Sequence, residues 1–266
     1  MDLGVRGQAH AIVGGSSGIG WETAKLLAAE GADVAVISRR PERNADAMAA
    51  LAKVHGIQAV AYVADVAVRG SVEAALGRVI EHFGRLHGLA VTSHFMGEDG
   101  RFAAMTDDDW DLYYQNSLMG AVRACRGVLP HMAAAGGGSI VLTSAYSSRA
   151  PKPFIAAYAA FKAALNNLAK TLAKTHGREG VRVNVVAPGA IKTGRYEARM
   201  AALAAEQPVL DPGAAEARLL QRIDMDVALG RIGEPSEVAE LITFLLSARA
   251  AYATGLIANI DGGTDF

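Results

Sequence analysis

Short apolar segments alternate with segments of helical spacing along almost the entire chain. Strands that alternate with helices predict βαβ units, and therefore a parallel sheet with helices on both faces. Several apolar segments are continuous rather than alternating, which is typical of strands buried on both sides. The sequence thus predicts an α/β fold with a doubly wound parallel sheet of about seven strands. The predicted strands are residues 9–13, 33–37, 58–63, 88–92, 139–143, 181–186 and 256–260, and the predicted helices are residues 19–30, 43–55, 71–83, 107–134 and 156–176.

The length of the chain suits one large α/β unit. It has 266 residues, of which 51% are hydrophobic, and no linker or charged run divides it. We therefore predict a single domain over residues 1–266. The segment 194–230 interrupts the alternation, because it is rich in Ala, Glu and Arg and contains Pro208 and Pro212. We expect this segment to form one or two short helices outside the main layers.

The net charge and the cysteine content indicate which binding partners and which cellular compartment suit this protein. A formal net charge of −1 gives no basic excess to attract nucleic acid or an anionic membrane. Cys125 is the single cysteine, which excludes an internal disulfide framework and fits a reducing compartment. An apolar strand follows Asp2 almost at once, so we see no signal peptide and expect a cytoplasmic protein. The seven histidines show no metal-ligand spacing, and we predict no metal site.

A glycine-rich turn follows the first predicted strand and opens the first predicted helix. Glycine permits positive φ and lets the backbone approach a ligand where a Cβ would clash. The free N–H groups and the positive dipole end of the helix suit the pyrophosphate of a dinucleotide. The residues expected to contact it are Gly14, Ser16, Ser17, Gly18, Ile19 and Gly20.

The end of the second predicted strand indicates which dinucleotide is bound. An acidic residue there would accept hydrogen bonds from the adenosine ribose and repel a 2′-phosphate. This chain has Ser38 and Arg39, whose hydroxyl and guanidinium can bind a phosphate. NADP(H) is therefore favoured over NAD(H). The alternative is that Arg39 and Arg40 only begin the next surface helix, which we expect of Arg40 more than of Arg39.

Tyr158 and Lys162 lie four residues apart within a predicted helix. That spacing is one helical turn, so both side chains leave the same face. An ammonium group nearby favours phenolate over phenol, which brings the tyrosine hydroxyl toward a useful range for proton transfer. We predict Tyr158 as the acid/base and Lys162 as the group that lowers the pKa of Tyr158.

In their order along the chain, the glycine-rich turn, Asn116, Ser144, the Tyr158–Lys162 pair and Pro188-Gly189 resemble the short-chain dehydrogenase/reductase family. The resemblance runs from about Val5 to the C-terminus and extends in a general way to 3-oxoacyl-carrier-protein reductases. It implies a Rossmann-type fold and the interconversion of a ketone and a secondary alcohol.

The resemblance also implies roles for individual residues. Ser144 would hydrogen-bond the substrate carbonyl oxygen, Asn116 would link the lysine to water as a proton relay, and Lys162 would hold the nicotinamide ribose. The segment 194–230 would fold over the substrate as a lid, with a surface insertion as the alternative. The further positions expected at the cofactor are Asp65, Val66, Tyr158, Lys162, Pro188, Gly189, Ile191 and Thr193.

Two departures from the family pattern stand out. Residues 91–94 read Val-Thr-Ser-His where the family usually has Asn-Asn-Ala-Gly. We interpret His94 as a structural histidine, with contact to cofactor or substrate as the alternative. Fourteen residues separate Ser144 from Tyr158, where the family most often has thirteen, so the gap-free counterpart is Ala145. We favour Ser144 reaching the site through an extra loop residue, with Ser147 as a substitute or loss of the serine function as alternatives.

Two functions of different classes remain open at this point. The first is an NADP-dependent oxidoreductase acting on a small-molecule carbonyl or alcohol, with Asn116, Ser144, Tyr158 and Lys162 as its working residues. The second is a cofactor-binding protein with little or no catalysis, either a regulator or an inactive subunit. The family resemblance further implies a homo-oligomer, a dimer or a tetramer.

Overall fold

The computed structural model describes residues 2–97, 100–206 and 211–264. Within these residues, seven strands form one sheet in the order β3-β2-β1-β4-β5-β6-β7, and every neighbouring pair is parallel. The order reverses between β1 and β4, and ligands of such sheets bind at the carboxyl ends of the strands beside that reversal. The strands are β1 Ala9–Val13, β2 Asp33–Ser38, β3 Ala59–Val63, β4 Gly88–Val91, β5 Gly138–Thr143, β6 Val181–Pro188 and β7 Ile257–Ile260.

Helices cover both faces of the sheet, which confirms the predicted α/β class with a doubly wound parallel sheet. On one face α3, α5 and α6 enclose an apolar core, and on the other face α1, α2 and α9 enclose a second one. The helices are α1 Gly18–Ala29, α2 Pro41–Leu51, α3 Ser71–Phe83, α4 Asp107–Tyr113, α5 Gly120–Ala134, α6 Ala156–His176, α7 Gly194–Glu206, α8 Pro212–Arg222 and α9 Pro235–Leu246. In the described residues, no helix is both long and apolar enough to cross a membrane.

The predicted bounds agree with the structure to within two residues at every strand and at α1, and they are identical at β1, α3 and α6. The predicted helix 43–55 is α2, Pro41–Leu51, which ends four residues earlier than predicted. The main difference lies in the predicted helix 107–134, which is α4 and α5 joined by a π-helical turn, Tyr114–Met119. A π turn carries an i→i+5 hydrogen bond and so accommodates an extra residue, a change that apolar periodicity does not reveal.

Burial explains why the strand segments are continuously apolar. All residues of β1 and β4 are buried, because helices lie above and below them. At the edge of the sheet, β7 is half-buried along its whole length. The carboxyl ends of β1 and β4 are therefore held in fixed positions by packing on both faces of the sheet.

The segment 194–230 contains α7 and α8, in agreement with the predicted short helices. A small apolar cluster, which includes Leu219, Met225 and Ile232, attaches these helices to the loop that carries Tyr146. Residues 207–210, including Pro208, lie outside the described residues.

Candidate active site

A cavity of about 700 Å³ opens at the carboxyl ends of β1 and β4 and extends toward the ends of β2, β5 and β6. The structure brings most of the predicted site residues to its walls. These are Gly14, Ser16, Ser17, Gly18, Ile19, Ser38, Arg39, Val66, Asn116, Ser144, Tyr158, Lys162, Pro188, Gly189, Ile191 and Thr193.

The glycine-rich turn forms one wall in a shape that requires glycine. Gly14 has φ +87°, and a Cβ there would lie 2.6 Å from the Ser93 backbone nitrogen. Gly18, the first residue of α1, has φ +52°. The Ser17 N-cap makes no side-chain hydrogen bond to the helix, so its first N–H groups can serve a ligand. The turn and helix end therefore fit the pyrophosphate of a dinucleotide.

Gly20 has a different role from its neighbours in the turn. It does not line the cavity, and a Cβ there would lie 2.3 Å from both the Gly14 carbonyl oxygen and Thr92 Oγ1. Its lack of a side chain lets α1 pack closely against the turn and β4. The geometry thus favours a packing role for Gly20 rather than the predicted contact with the cofactor.

Three arginines line the far end of the cavity, after β2. Arg39 and Arg40 are exposed, and Arg43 lies on the first turns of α2. Arg39 is 3.9 Å from Asp65, an exposed pair that contributes little to stability. The Ser38 hydroxyl donates to Asn44 Oδ1 at 2.6 Å. Because Ser38 is already hydrogen-bonded, the guanidinium groups are the stronger candidates for binding a phosphate.

Asp65 and Val66 follow β3 but differ in position. Val66 lines the cavity, whereas the carboxylate of Asp65 accepts a hydrogen bond from the backbone N–H of Ala67 at 2.9 Å. Asp65 itself is not a lining residue. The structure therefore gives the Asp65 side chain a role in shaping the loop.

Tyr158 and Lys162 project from α6 into the cavity at the ends of β4 and β5. Lys162 Nζ lies 5.5 Å from the Tyr158 ring centroid and donates to the Thr143 carbonyl at 2.7 Å. Burial lowers the pKa of Lys162 to about 8. Burial, and then the neighbouring Tyr146, raises the pKa of Tyr158 despite the opposing charge of Arg195. The predicted lowering of the Tyr158 pKa is therefore wrong, because burial outweighs the opposing charge of Arg195.

Ser144 is buried at the end of β5, and its hydroxyl donates to the Lys162 backbone carbonyl at 2.9 Å. This bond ties β5 to α6 and turns the hydroxyl toward the helix backbone. The neighbouring Ala145 also lines the cavity but has only a methyl group to offer. Ser147 is fully buried and is not a lining residue. The geometry thus disfavours both predicted serines as donors to a substrate.

Asn116 lies in the π-helical turn between α4 and α5 and lines the cavity. Its side-chain amide donates to the Leu112 carbonyl at 2.9 Å. π turns inside α-helices occur frequently at functional sites. The turn contacts α6 and places an asparagine at the wall of the cavity.

The loop after β6 forms the wall opposite the glycine-rich turn. Pro188, Gly189, Ile191 and Thr193 all line the cavity. A Cβ on Gly189 would lie 2.8 Å from the Asp261 Cα, so the loop can pass this point only with glycine. A Cβ on Gly18 would lie 3.4 Å from the Thr193 methyl, which brings the two walls close together.

Comparison with known proteins agrees with this geometry. Residues 13–265 match a family described as enoyl-(acyl carrier protein) reductase. A 3-oxoacyl-[acyl-carrier-protein] reductase of Thermotoga maritima is 33% identical over 97% of this chain and 98% of its own length. The chain belongs to the short-chain dehydrogenase/reductase family. Its fold and its general enzyme class, an NAD(P)-dependent oxidoreductase, follow from that membership.

Solved structures of the short-chain dehydrogenase/reductase family superpose closely on this chain. L-sorbose reductase from Gluconobacter frateurii, in complex with NADPH and L-sorbose, has a TM-score of 0.91 and 30% identity, covering 99% of this chain and 98% of its own. An NADPH-bound short-chain oxidoreductase from Pseudomonas aeruginosa PAO1, described as containing an atypical catalytic center, has a TM-score of 0.87 and 30% identity, covering 96% of each chain.

One departure from the short-chain dehydrogenase/reductase pattern lies inside the cavity. His94 lines the cavity with an exposed side chain, and its ring lies 5.6 Å from the Tyr158 ring, at 81°. Desolvation within the cavity is the largest effect on the pKa of His94 and lowers it well below its usual range. The positive charges of Lys162 and Arg195 lower it further. The interpretation of His94 as a satisfied structural histidine is therefore wrong. Thr92, two residues earlier, donates to the Val13 carbonyl at 3.0 Å and so ties β4 to β1.

In this short-chain dehydrogenase/reductase, part of the cavity wall comes from residues 194–230 that the sequence did not single out. Arg195 on α7 lines the cavity and donates to the Gly97 carbonyl at 3.1 Å. Glu216 on α8 accepts from the Ile232 backbone N–H at 2.7 Å and from the Tyr196 hydroxyl at 3.3 Å, and pairs with Lys192 at 3.4 Å. These contacts join residues distant in sequence, so no local pattern could have predicted them.

Proposed function

We propose that the protein is an NADP(H)-dependent oxidoreductase that interconverts a ketone and a secondary alcohol, with Tyr158 as its acid/base. The observation that carries the proposal is one continuous cavity. It joins the Tyr158–Lys162 pair to the N-terminus of α1 and to the arginines after β2. A proton donor, a pyrophosphate cradle and a phosphate-binding end thus share a single site.

The cofactor would be held by groups along the whole cavity. The 14–19 turn and the α1 N-terminus would bind the pyrophosphate, and Arg39 with Arg43 would bind the 2′-phosphate. Lys162 would hold the nicotinamide ribose. When bound, NADPH supplies the hydride that reduces the carbonyl carbon. The remaining contacts would come from Val66 at the adenine and from Pro188, Gly189, Ile191 and Thr193 at the nicotinamide end.

Tyr158 would supply the proton that the reaction needs. In reduction, the carbonyl carbon gains a hydride with its two electrons, and the carbonyl oxygen takes the phenolic proton, which gives a secondary alcohol. Lys162 and Asn116 would return a proton from water to the phenolate, and in alcohol oxidation Tyr158 acts as the base. A preference for NADP(H) favours reduction as the cellular direction.

The substrate would be a small molecule that fits between Tyr158 and the segment 194–230, acting as a lid. Tyr146, Tyr196 and Met225 would form a mixed apolar and hydroxyl-bearing wall. The G. frateurii relative binds L-sorbose, which makes a polyhydroxy ketone one suitable probe. Ethyl acetoacetate, a small activated ketone, is a second one.

A cofactor-binding protein with little catalysis is the competing proposal. It is favoured by Ala145 at the expected serine position and by the orientation of the Ser144 hydroxyl toward the Lys162 carbonyl. Under this proposal the protein would bind NADPH, but it would reduce no carbonyl compound.

Turnover and binding together test the two proposals. Fluorescence titration with NADPH and NADH measures binding, and NADPH absorbance measures reduction of ethyl acetoacetate and L-sorbose. We expect tighter binding of NADPH and measurable turnover, with Tyr158→Phe losing turnover while keeping cofactor affinity. The matched control is Tyr62→Phe, since Tyr62 lies in β3 and is not a lining residue of the cavity. Binding without turnover would favour the competing proposal.

We further propose a homo-oligomer, either a dimer or a tetramer. Tyr252 and Leu256, which shortly precede the edge strand β7, and Phe244 on α9 are exposed large hydrophobic residues. Exposed apolar side chains that form a patch are typical of subunit contacts. Light scattering measures the mass directly, and a monomer at micromolar concentration would contradict the proposal.

A further inference from the structure

At the Tyr158 end of the cavity, neither Ser144 nor Ala145 directs a side-chain hydroxyl at a substrate oxygen. The Ser144 hydroxyl donates to the Lys162 carbonyl, and Ala145 has no polar side-chain atom. A carbonyl oxygen gains negative charge during hydride transfer, and a donor aimed at that oxygen lowers the barrier strongly. A donor to that oxygen would therefore come from another lining residue.

His94 has the position that this role demands. Its side chain is exposed inside the cavity, and its ring meets the Tyr158 ring edge-on at 5.6 Å between centroids. Because both side chains line the same cavity, that separation permits one oxygen atom to be placed about 3 Å from both the phenol hydroxyl and an imidazole nitrogen. No hydrogen bond joins either ring nitrogen to another of the described residues.

The charges around His94 favour the form that can both donate and accept. Lys162 and Arg195 are the cations near the ring, and together with its deep position they oppose protonation of His94. A neutral imidazole has one N–H donor and one acceptor nitrogen. His94 can thus donate one hydrogen bond without introducing a third positive charge beside Lys162.

We propose that His94 is a further catalytic residue, which donates an imidazole N–H to the same substrate oxygen that Tyr158 protonates. The inference rests on the proposed function, because it assigns a second donor to that reaction. His94 thereby takes over the polarising role that neither Ser144 nor Ala145 can fill.

Three variants at this position separate hydrogen bonding from volume. His94→Phe keeps a ring but removes both nitrogens, His94→Ala removes the side chain, and His94→Gln restores an N–H donor. For ethyl acetoacetate, we expect kcat to fall about 100-fold or more in the Phe and Ala variants. The Gln variant should recover at least about a tenth of wild-type kcat, and NADPH affinity should stay within about twofold in all three. The control is His55→Ala, at an exposed position outside the cavity.

A double-variant cycle with Tyr158→Phe tests whether both residues act on one oxygen. We expect the double variant to lose little more activity than the more damaging single variant, because the two donors act as a unit. Phe and Ala variants with kcat within about threefold of wild type, or above it, would overturn the role of His94. Unchanged turnover in Tyr158→Phe, or no turnover in the wild type with either ketone, would overturn the proposed function and the role of His94 with it.

Discussion

The hydroxyl of Ser144 and the backbone carbonyl of Lys162 are joined by a hydrogen bond of 2.9 Å. The bond connects the end of β5 to the middle of α6, the helix that carries the acid/base pair. Ser144 thus fixes where the helix lies over the sheet, and its contribution to the site is one of position.

Ser144→Ala should therefore affect stability more than chemistry. Loss of one buried hydrogen bond should lower the free energy of unfolding by about 1 kcal/mol, and kcat should stay within about tenfold of wild type. Urea unfolding and steady-state turnover measure the two effects, with Ser236→Ala on the exposed start of α9 as the control. A loss of about 100-fold or more in kcat with intact NADPH binding would restore Ser144 as the carbonyl donor.

Arg39→Ala and Arg43→Ala should each weaken NADPH binding about tenfold, since each removes a charge-assisted contact to the 2′-phosphate. NADH lacks that phosphate, so its affinity should change less than about twofold. Fluorescence titration measures both cofactors, with the exposed Arg178→Ala outside the cavity as the control. Equal losses for NADPH and NADH would contradict a phosphate contact.

Lys162→Met should stabilise the protein near neutral pH while abolishing turnover. The pKa of Lys162 is lowered from 10.5 to about 8 by burial, so the unfolded chain binds the proton more tightly than the folded one. Wild-type stability is thus lost as pH falls from 10.5 to about 8, by at most about 3 kcal/mol. The advantage of Met should be constant below about pH 8 and shrink above it. Thermal unfolding of both proteins across this range checks the slope, and a parallel pair of curves would contradict it.

Acid should destabilise the fold through His10. Both ring nitrogens of His10 are fully buried and have no hydrogen-bond partner among the described residues, and burial followed by His87 lowers the pKa of His10 from 6.5 to about 3. As pH falls through this window the unfolded chain takes up a proton that the folded state does not, at a cost of up to about 1.4 kcal/mol per pH unit. In His10→Leu, the free energy of unfolding measured with urea should fall less steeply between pH 6.5 and about 3 than in the wild type. His55→Ala should leave this slope unchanged. An unchanged slope in His10→Leu would contradict the prediction and show that other groups cause the acid destabilisation.

Gly20→Ala and Gly77→Ala should act in opposite directions. A methyl on Gly20 would lie 2.3 Å from the Gly14 carbonyl and from Thr92 Oγ1, so α1 must shift and both stability and cofactor affinity should fall. A methyl on Gly77 in α3 meets nothing within 4 Å, and the better helix propensity of alanine should add about 0.5–1 kcal/mol. Thermal unfolding and NADPH titration compare the two variants, and a tolerated Gly20→Ala would contradict the packing role.

The sequence was sufficient for most of the fold because its strands are continuous apolar runs, which the buried β1 and β4 require. It was also sufficient for Tyr158 and Lys162, because one helical turn fixes their common face. Both features depend only on residues close together in the sequence, so they can be predicted without knowledge of the tertiary structure.

The rest of the site depends on contacts that sequence spacing does not encode. The pKa of Tyr158 is set by burial and by Tyr146, as well as by the charge of Arg195. The spacing between Ser144 and Tyr158 along the chain makes Ser144 a candidate donor to the substrate. The direction of its hydroxyl, however, depends on where α6 crosses β5. A lone histidine in a sequence does not reveal whether it faces a cavity, and the cavity beside His94 is formed by residues from α6 and α7.

The π-helical turn at Tyr114–Met119 makes α4 and α5 two helices with different rotational phases along one continuous backbone. α4 contacts α6, whereas α5 packs mainly against α3, so each half meets a different neighbour. Each residue of an α-helix turns the chain by about 100°. Deleting a single residue from this turn would therefore rotate one half against the other and misalign one of the two interfaces. The length of this stretch is constrained more tightly than the identity of most of its side chains.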